Sequence, residues 1–154
     1  MTCFSATNHS HAVVPVDRKQ VWEALTDPDL LPRLTPLLRE IRADGDVWEW
    51  HPTRLTVLGI GLAPVFTEKM TFDEPRRIDY EHSPPGTTER AGADGWYLLE
   101  DHPEGTHLEI ELTMHVDLPL SRVAGPAVRG VMGSMMQRTG ERFASNLLHH
   151  LGVA

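Results

Sequence analysis

The chain of 154 residues contains one cysteine, Cys3, so no internal disulfide can form, and the pattern suits a reducing, cytoplasmic compartment. It has no apolar run near the ~18–20 residues that a membrane-spanning helix needs. Its opening, MTCFSATNHSHAVV, lacks the basic and apolar stretches of a secretory signal. Cations are scarce, with 14 Lys and Arg against 22 Asp and Glu and a formal charge of -8. Phosphate backbones are bound by clustered Lys and Arg, so nucleic acid is excluded as an expected partner. Several motifs are also missing: no GxSxG elbow, P-loop, GxGxxG after a strand, HExxH or CxxC. Hydrolase, NTPase and dinucleotide readings lose their usual support, and no cofactor is expected. His9 and His11 share a strand face and His149 and His150 end a helix, but no set of three or four ligands has zinc spacing, so no metal is expected either.

What is present reads as one domain, 1–154, since a 40% hydrophobic and 23% charged composition is ordinary for a soluble globular chain of this length. The longest periodic stretch is PAVRGVMGSMMQRTGERFASNLLHHL, Pro126 to Leu151. Val128, Met132, Met135, Met136, Thr139, Phe143, Leu147 and Leu151 fall three or four apart and form one stripe of a helix. At ~1.5 Å per residue that helix is roughly 39 Å long, suited to lie across a curved sheet.

The upstream chain supplies that sheet. HSHAVV (9–14) predicts a short strand. Asp17, with Gln20 three residues on, predicts an N-cap for a helix over 17–26, and Asp27-Pro28 starts a second short helix. LLREIRADGDVWEWH predicts a hairpin turning at Asp44-Gly45-Asp46. TRLTVLGIGL predicts a bent strand. VFTEKMTF and RRIDYEH predict a strand pair, and SPPGTTERAGADG (83–95) a long mobile loop. GWYLLEDH and THLEIELTMHVDL predict two further strands, the second with Leu108, Ile110, Leu112, Met114 and Val116 inward and His107, Glu109, Glu111 and His115 outward. Strands joined by hairpins imply an antiparallel sheet. The fold class is therefore α+β with a helix grip: about six to seven curved strands around a long C-terminal helix, and two short helices after the first strand.

In AVVPVDRKQVWEALTDPDLLPRLTP, EKMTFDEPRRIDYEH, GWYLLED followed by EGTHLEIEL, and the last helix, the chain resembles the START-like (SRPBCC-type) superfamily. That group includes polyketide cyclases and dehydrases, plant proteins of the birch-pollen-allergen type and coenzyme Q-binding proteins. The resemblance spans nearly the whole chain and implies a hydrophobic cavity between sheet and helix, without implying one chemistry.

The candidate site residues follow from parity and periodicity. Glu68 shares a strand face with Phe66, Met70 and Phe72, so a carboxylate points into an apolar interior, where its pKa rises and it could act as a general acid. The alternatives are a position near a strand end in solvent, or a structural ion pair with Lys69 or a helix arginine such as Arg138 or Arg142. His82 lies in parity with Ile78 and Tyr80 and could polarise a carbonyl or move a proton, or be an ordinary hydrogen-bonded histidine. The ligand-lining candidates are Trp22, Trp50, Phe66, Met70, Trp96, Met114, Met132, Met135, Met136 and Phe143. Aromatics stack on flat ligands and thioethers adapt to apolar ones, although for each residue taken singly core packing is the more usual role. Gly130 and Gly133 are expected to leave space beside the methionines. The leading expectation is a protein that binds a hydrophobic small molecule, lipid-like, polyketide or aromatic, as monomer or homodimer. The alternatives are a polyketide cyclase or dehydratase using Glu68 or His82, and an interaction protein of the co-chaperone kind.

Overall fold

Asp17 accepts the backbone N–H of Gln20 at 3.0 Å, and this cap starts the first helix where the sequence places it. In full, the elements are β1 (Thr2–Val14), α1 (Arg18–Leu25), α2 (Leu31–Leu34), β2 (Leu38–Asp44), β3 (Val47–Pro52), β4 (Leu55–Val57) and β5 (Ile60–Leu62). They continue with β6 (Phe66–Asp73), β7 (Arg77–His82), β8 (Ala91–His102), β9 (Gly105–Leu118), a 3-10 turn at Arg122–Ala124 and α3 (Gly125–His150). The structure is a computed structural model that describes residues 1–86 and 88–153. Seven strands form one antiparallel sheet in the order β1-β9-β8-β7-β6-β3-β2, and β4 and β5 form a separate hairpin. With the long α3 and two short helices after β1, this is the helix-grip fold. Among the described residues no helix is long and apolar enough to cross a membrane.

Three segments differ from the sequence reading. β1 begins at Thr2 rather than at His9 and pairs with β9 throughout, from Thr2↔Leu118 to Val14↔Thr106; a long partner strand supplies the ladder that small polar residues do not advertise. Cys3 therefore lies in a strand opposite Asp117, and desolvation and that carboxylate push its thiol up, away from nucleophilic use. TRLTVLGIGL is not one bent strand but a hairpin turning at Leu58 (φ 49°) and Gly59 (φ 83°), the positive pair a two-residue turn requires. The loop after β7 ends at Arg90, since Ala91 to Gly95 pair with β9; Thr87 within it lies outside the described residues.

Register defines the two faces of the sheet. Opposite residues share a face, so Trp48↔Glu68 and Trp50↔Phe66, Met70↔Tyr80 and Phe72↔Ile78, and Tyr97↔Ile110, Gly95↔Leu112 and Ala93↔Met114 build one inner surface. Helix α3 spans it with the predicted stripe. Val128 and Leu147, near its ends, are 0% and 2% exposed, whereas Met135, Thr139 and Phe143 between them are half-buried. Across from them Ile110, Leu112 and Met114 are half-buried too. The core is accordingly split. A larger cluster joins α1, α2, the sheet and Leu147, a smaller one joins Phe4, Val57, Ala91, Val116, Leu118, Val128 and Met132, and Met114 touches both.

Candidate functional site

Between those clusters, on the inner wall, stand two buried side-chain polar atoms without a hydrogen-bond partner among the described residues, Glu68 Oε2 and Trp50 Nε1. Left without any partner each such atom costs roughly 1–3 kcal/mol, so each calls for one that the chain does not itself supply, an ordered water or a bound molecule. Strand β6 presents Glu68 between Phe66 and Met70 by simple alternation, and the carboxylate is 2% exposed. Trp50, on the neighbouring strand, is diagonal to it, a separation of about 7–8 Å for cross-strand neighbours. Its ring stacks on Phe66 at 6.2 Å and 4°, which fixes where the indole N–H lies.

The electrostatics follow from this wall. Burial first, and Asp94 second, push the Glu68 carboxyl well above its usual range. It is a proton-bearing acid for longer, as pH rises, than any solvated carboxylate. Burial and Glu68 likewise push the Tyr97 phenol up, and burial does the same to Tyr80. The Tyr80 hydroxyl donates to the Glu111 carbonyl at 3.1 Å and so is already used. The inner wall thus offers an acid O–H and an indole N–H in an otherwise apolar setting. Such a wall can hold or protonate one oxygen of an apolar molecule.

The predicted site residues divide into groups. Trp50, Phe66, Met70 and Met114 share the inner wall with Glu68. Met132 and Met136 are buried under the helix at 8% each, Met70 at 2%, and Met135 and Phe143 are half-buried on the same helix. Lys69 reaches Asp46 at 2.6 Å, and Arg138 and Arg142 are exposed, so the ion-pair alternative for Glu68 has no partner. Trp96 is a correction: opposite Glu111 and Asp79 it lies on the outer face, edge-on to His9 at 6.1 Å and under the Arg77 guanidinium at 5.0 Å. Its parity is that of Glu109 and Glu111, one residue off Tyr97. Trp22 is also displaced, since it packs with Phe72 at 6.2 Å at the end of the sheet. Gly130 is exposed and an added Cβ there meets nothing within 4 Å, so its open side is solvent.

His82 is the second correction. Alternation assigns it to the inner face, yet its ring lies 4.8 Å from that of His115, in the room left by Gly92, whose Cβ would come within 2.3 Å of it. Pairing between β7 and β8 stops at Tyr80↔Gly95, and beyond it Asp94 Oδ1 accepts the His82 N–H at 2.8 Å, while the backbone stays paired with β6 through Glu68↔His82. His82 Nε2 bonds Glu89 Oε1 at 2.9 Å. Glu89 also accepts the Thr67 N–H at 2.8 Å and its hydroxyl at 2.6 Å. Burial would raise the Glu89 pKa, but the bonds from Thr67 and His82 hold it below the ordinary value. Glu89 went unread in the sequence because it sits in a Pro/Gly/Thr-rich stretch with no periodicity. Two concavities of about 350 and 370 Å³ flank α1, one shared with the end of α3 and one with the β2–β3 turn, the second lined in part by Trp48 and Phe72 of the inner surface.

Residues 2–148 match the family described as polyketide cyclase / dehydrase and lipid transport. No curated protein matches the chain significantly. Among solved structures, a conserved protein from Geobacillus kaustophilus is similar at 16% identity over 95% of each chain, with a TM-score of 0.70. An aromatase/cyclase from Streptomyces sp. R1128 is similar at 13% identity, over 95% of this chain and 93% of that one, with a TM-score of 0.65. A START superfamily protein from Mycobacterium smegmatis is similar at 16% identity, over 94% and 95%, with a TM-score of 0.64. At these identities the likeness is one of fold.

Proposed function

The chain belongs to the polyketide cyclase / dehydrase and lipid transport family, and from that premise we propose that it binds an apolar small molecule between its sheet and α3. The ligand carries at least one carbonyl or hydroxyl oxygen, which takes the proton of Glu68 and the N–H of Trp50. The observation that carries this reading is the pair of buried, unpartnered atoms on one apolar wall. The half-buried Met135, Thr139 and Phe143 of α3 and Ile110, Leu112 and Met114 of β9, set beside the buried Met132 and Met136, support it, since incompletely covered apolar side chains on two facing surfaces leave room between them. Titration with naphthalene and 2-naphthol, which differ by one hydroxyl, tests it. The naphthol should bind about 5–10-fold more tightly, as one hydrogen bond to a buried group is worth ~1–1.5 kcal/mol. Failure of both to bind, or equal binding by wild type and Glu68→Leu, would remove the polar handle.

A second reading, a cyclase or dehydratase, is favoured by one observation, the raised pKa of Glu68. A carboxylic acid whose proton is held more tightly than in water can protonate a ligand carbonyl as a carbon nucleophile in the same chain attacks it, and then return as base to remove a proton. Glu68→Gln would then abolish turnover while leaving affinity within a few fold, because the amide N–H₂ still donates.

A further inference from the structure

On the inner surface, toward the turn that joins β6 to β7, three aromatic rings line one groove, and one of them, Trp48, stands opposite Glu68. Trp22 of α1 and Trp48 of β3 stand 6.2 Å and 6.0 Å from Phe72 of β6, at 77° and 49° to its plane, so the rings form walls rather than a stack. Trp48 donates its indole N–H to the Gly45 carbonyl at 3.2 Å, and Thr26 donates its hydroxyl to the Trp22 carbonyl at 2.8 Å; both bonds hold the walls in place. The three rings, with Glu74, line a concavity of about 370 Å³. Trp22 and Trp48 are 6% and 3% exposed, so Phe72, which packs against both and is 39% exposed, is the ring most open to the groove.

We propose that this groove is a binding site for a small quaternary or methylated ammonium ion, a ligand different in kind from the uncharged molecule proposed for Glu68 and Trp50. Ring faces carry negative potential, and a cation within ~6 Å of several of them is attracted by each. Among the described residues the one cation seated on an aromatic ring is Arg77, and it covers Trp96 on the other face of the sheet, so these three rings have no cation of their own. A formal charge is also provided. Arg76, the nearest cation in sequence to Glu74, is engaged by Asp73 at 2.6 Å, and Glu74 makes no ion pair among the described residues. The rim thus keeps an unpaired negative charge beside an aromatic box. A strongly hydrated primary ammonium would lose more water than the rings return, whereas methyl groups make the cation larger, softer and less hydrated. The net charge of -8 adds a general attraction for such an ion.

The experiment compares choline with its uncharged carbon isostere, 3,3-dimethylbutan-1-ol, on the full chain. Binding is followed through the indole N–H signals of Trp22 and Trp48 by NMR at constant ionic strength. Choline should shift both signals saturably and bind about fivefold or more tightly than the alcohol, the ratio expected for a partly desolvated cation–π site. Phe72→Leu, which keeps apolar bulk and removes the ring face, should weaken choline about fivefold and leave the alcohol nearly unchanged. Glu74→Gln should weaken choline alone and reduce the salt dependence of its binding. Equal affinity for the two ligands would make the groove merely apolar and overturn the proposal, as would an absence of saturable choline shifts. If Phe72→Leu fails to fold, an unaffected choline affinity in Glu74→Gln together with equal binding of the isostere overturns it.

Discussion

Replacing Glu68 by leucine should make the protein more stable and less able to bind. The carboxyl is 2% exposed, and among the described residues one of its oxygens has no partner and no cation pairs with it, so removing it leaves no orphaned charge behind. Leucine is close in volume and suits a strand position between Phe66 and Met70. The gain is the desolvation penalty of one unsatisfied polar group, about 1–3 kcal/mol. For a chain of this size that is roughly a 2–12 °C rise in Tm. The sign with pH follows from the raised pKa. As pH climbs above the ordinary carboxylate range, the unfolded chain releases the Glu68 proton first, so the folded state loses stability until its own, higher pKa is passed. The leucine variant lacks that decline, and its advantage over wild type should widen from about pH 4 toward neutrality. Thermal denaturation of both proteins across that range, beside naphthol titration at one pH, reads both effects. A Tm lowered by more than about 2 °C would mean a hidden partner, because breaking a buried pair costs ~3–5 kcal/mol. Parallel pH profiles for the two proteins would equally refute an acid held protonated by burial.

Trp50→Phe keeps the stack on Phe66 but deletes the unpartnered N–H, so chemical denaturation should show little loss while naphthol affinity falls about 5–10-fold. Leu147→Ala, at a residue 2% exposed, should cost about 2–5 kcal/mol, and Phe143→Ala, half-buried, less than the ~3–5 kcal/mol of a fully buried ring; urea melts that reverse this order would misplace the helix. Glu89→Ala removes the acceptor of the Thr67 N–H, and hydrogen exchange at Thr67 and Ser83 should accelerate. Because the Glu89 pKa is lowered, the protection it gives wild type is present above the ordinary carboxylate range and should fade as pH falls below it.

The parts of the fold legible in the sequence were those with a strong period. The α3 stripe from Val128 to Leu147 and the alternation of Leu108 to Val116 each repeat one physical demand many times, and both were placed within a residue. Glu68 was legible for the same reason, since one polar residue in phase with Phe66 and Met70 has few places to point. What failed lacked such repetition. Ala91, Gly92, Ala93 and Gly95 have little strand preference and are strand because β9 pairs with them. Leu58 takes a positive φ without the Asn or Asp before glycine that usually signals such a turn. His82 obeyed alternation until Asp94 replaced the next backbone partner, and Trp96 differs from Tyr97 by a single step of the pleat.

The β4–β5 hairpin pairs with no other strand and is held by Val57, Ile60 and Leu62 in the smaller core cluster, beside Val128 and Met132 of α3. A two-stranded ribbon is marginal by itself, so this corner opens at a lower free energy than the sheet behind it. Opening there uncovers the first half of the helix and leaves Glu68, Trp50 and the larger cluster intact. For a ligand held on the inner wall, residence time and entry rate would then be set by the hairpin, and equilibrium selectivity by two atoms on strands paired within the main sheet. Substitutions at Val57 or Leu62 would change how fast a molecule exchanges without changing which molecule is preferred.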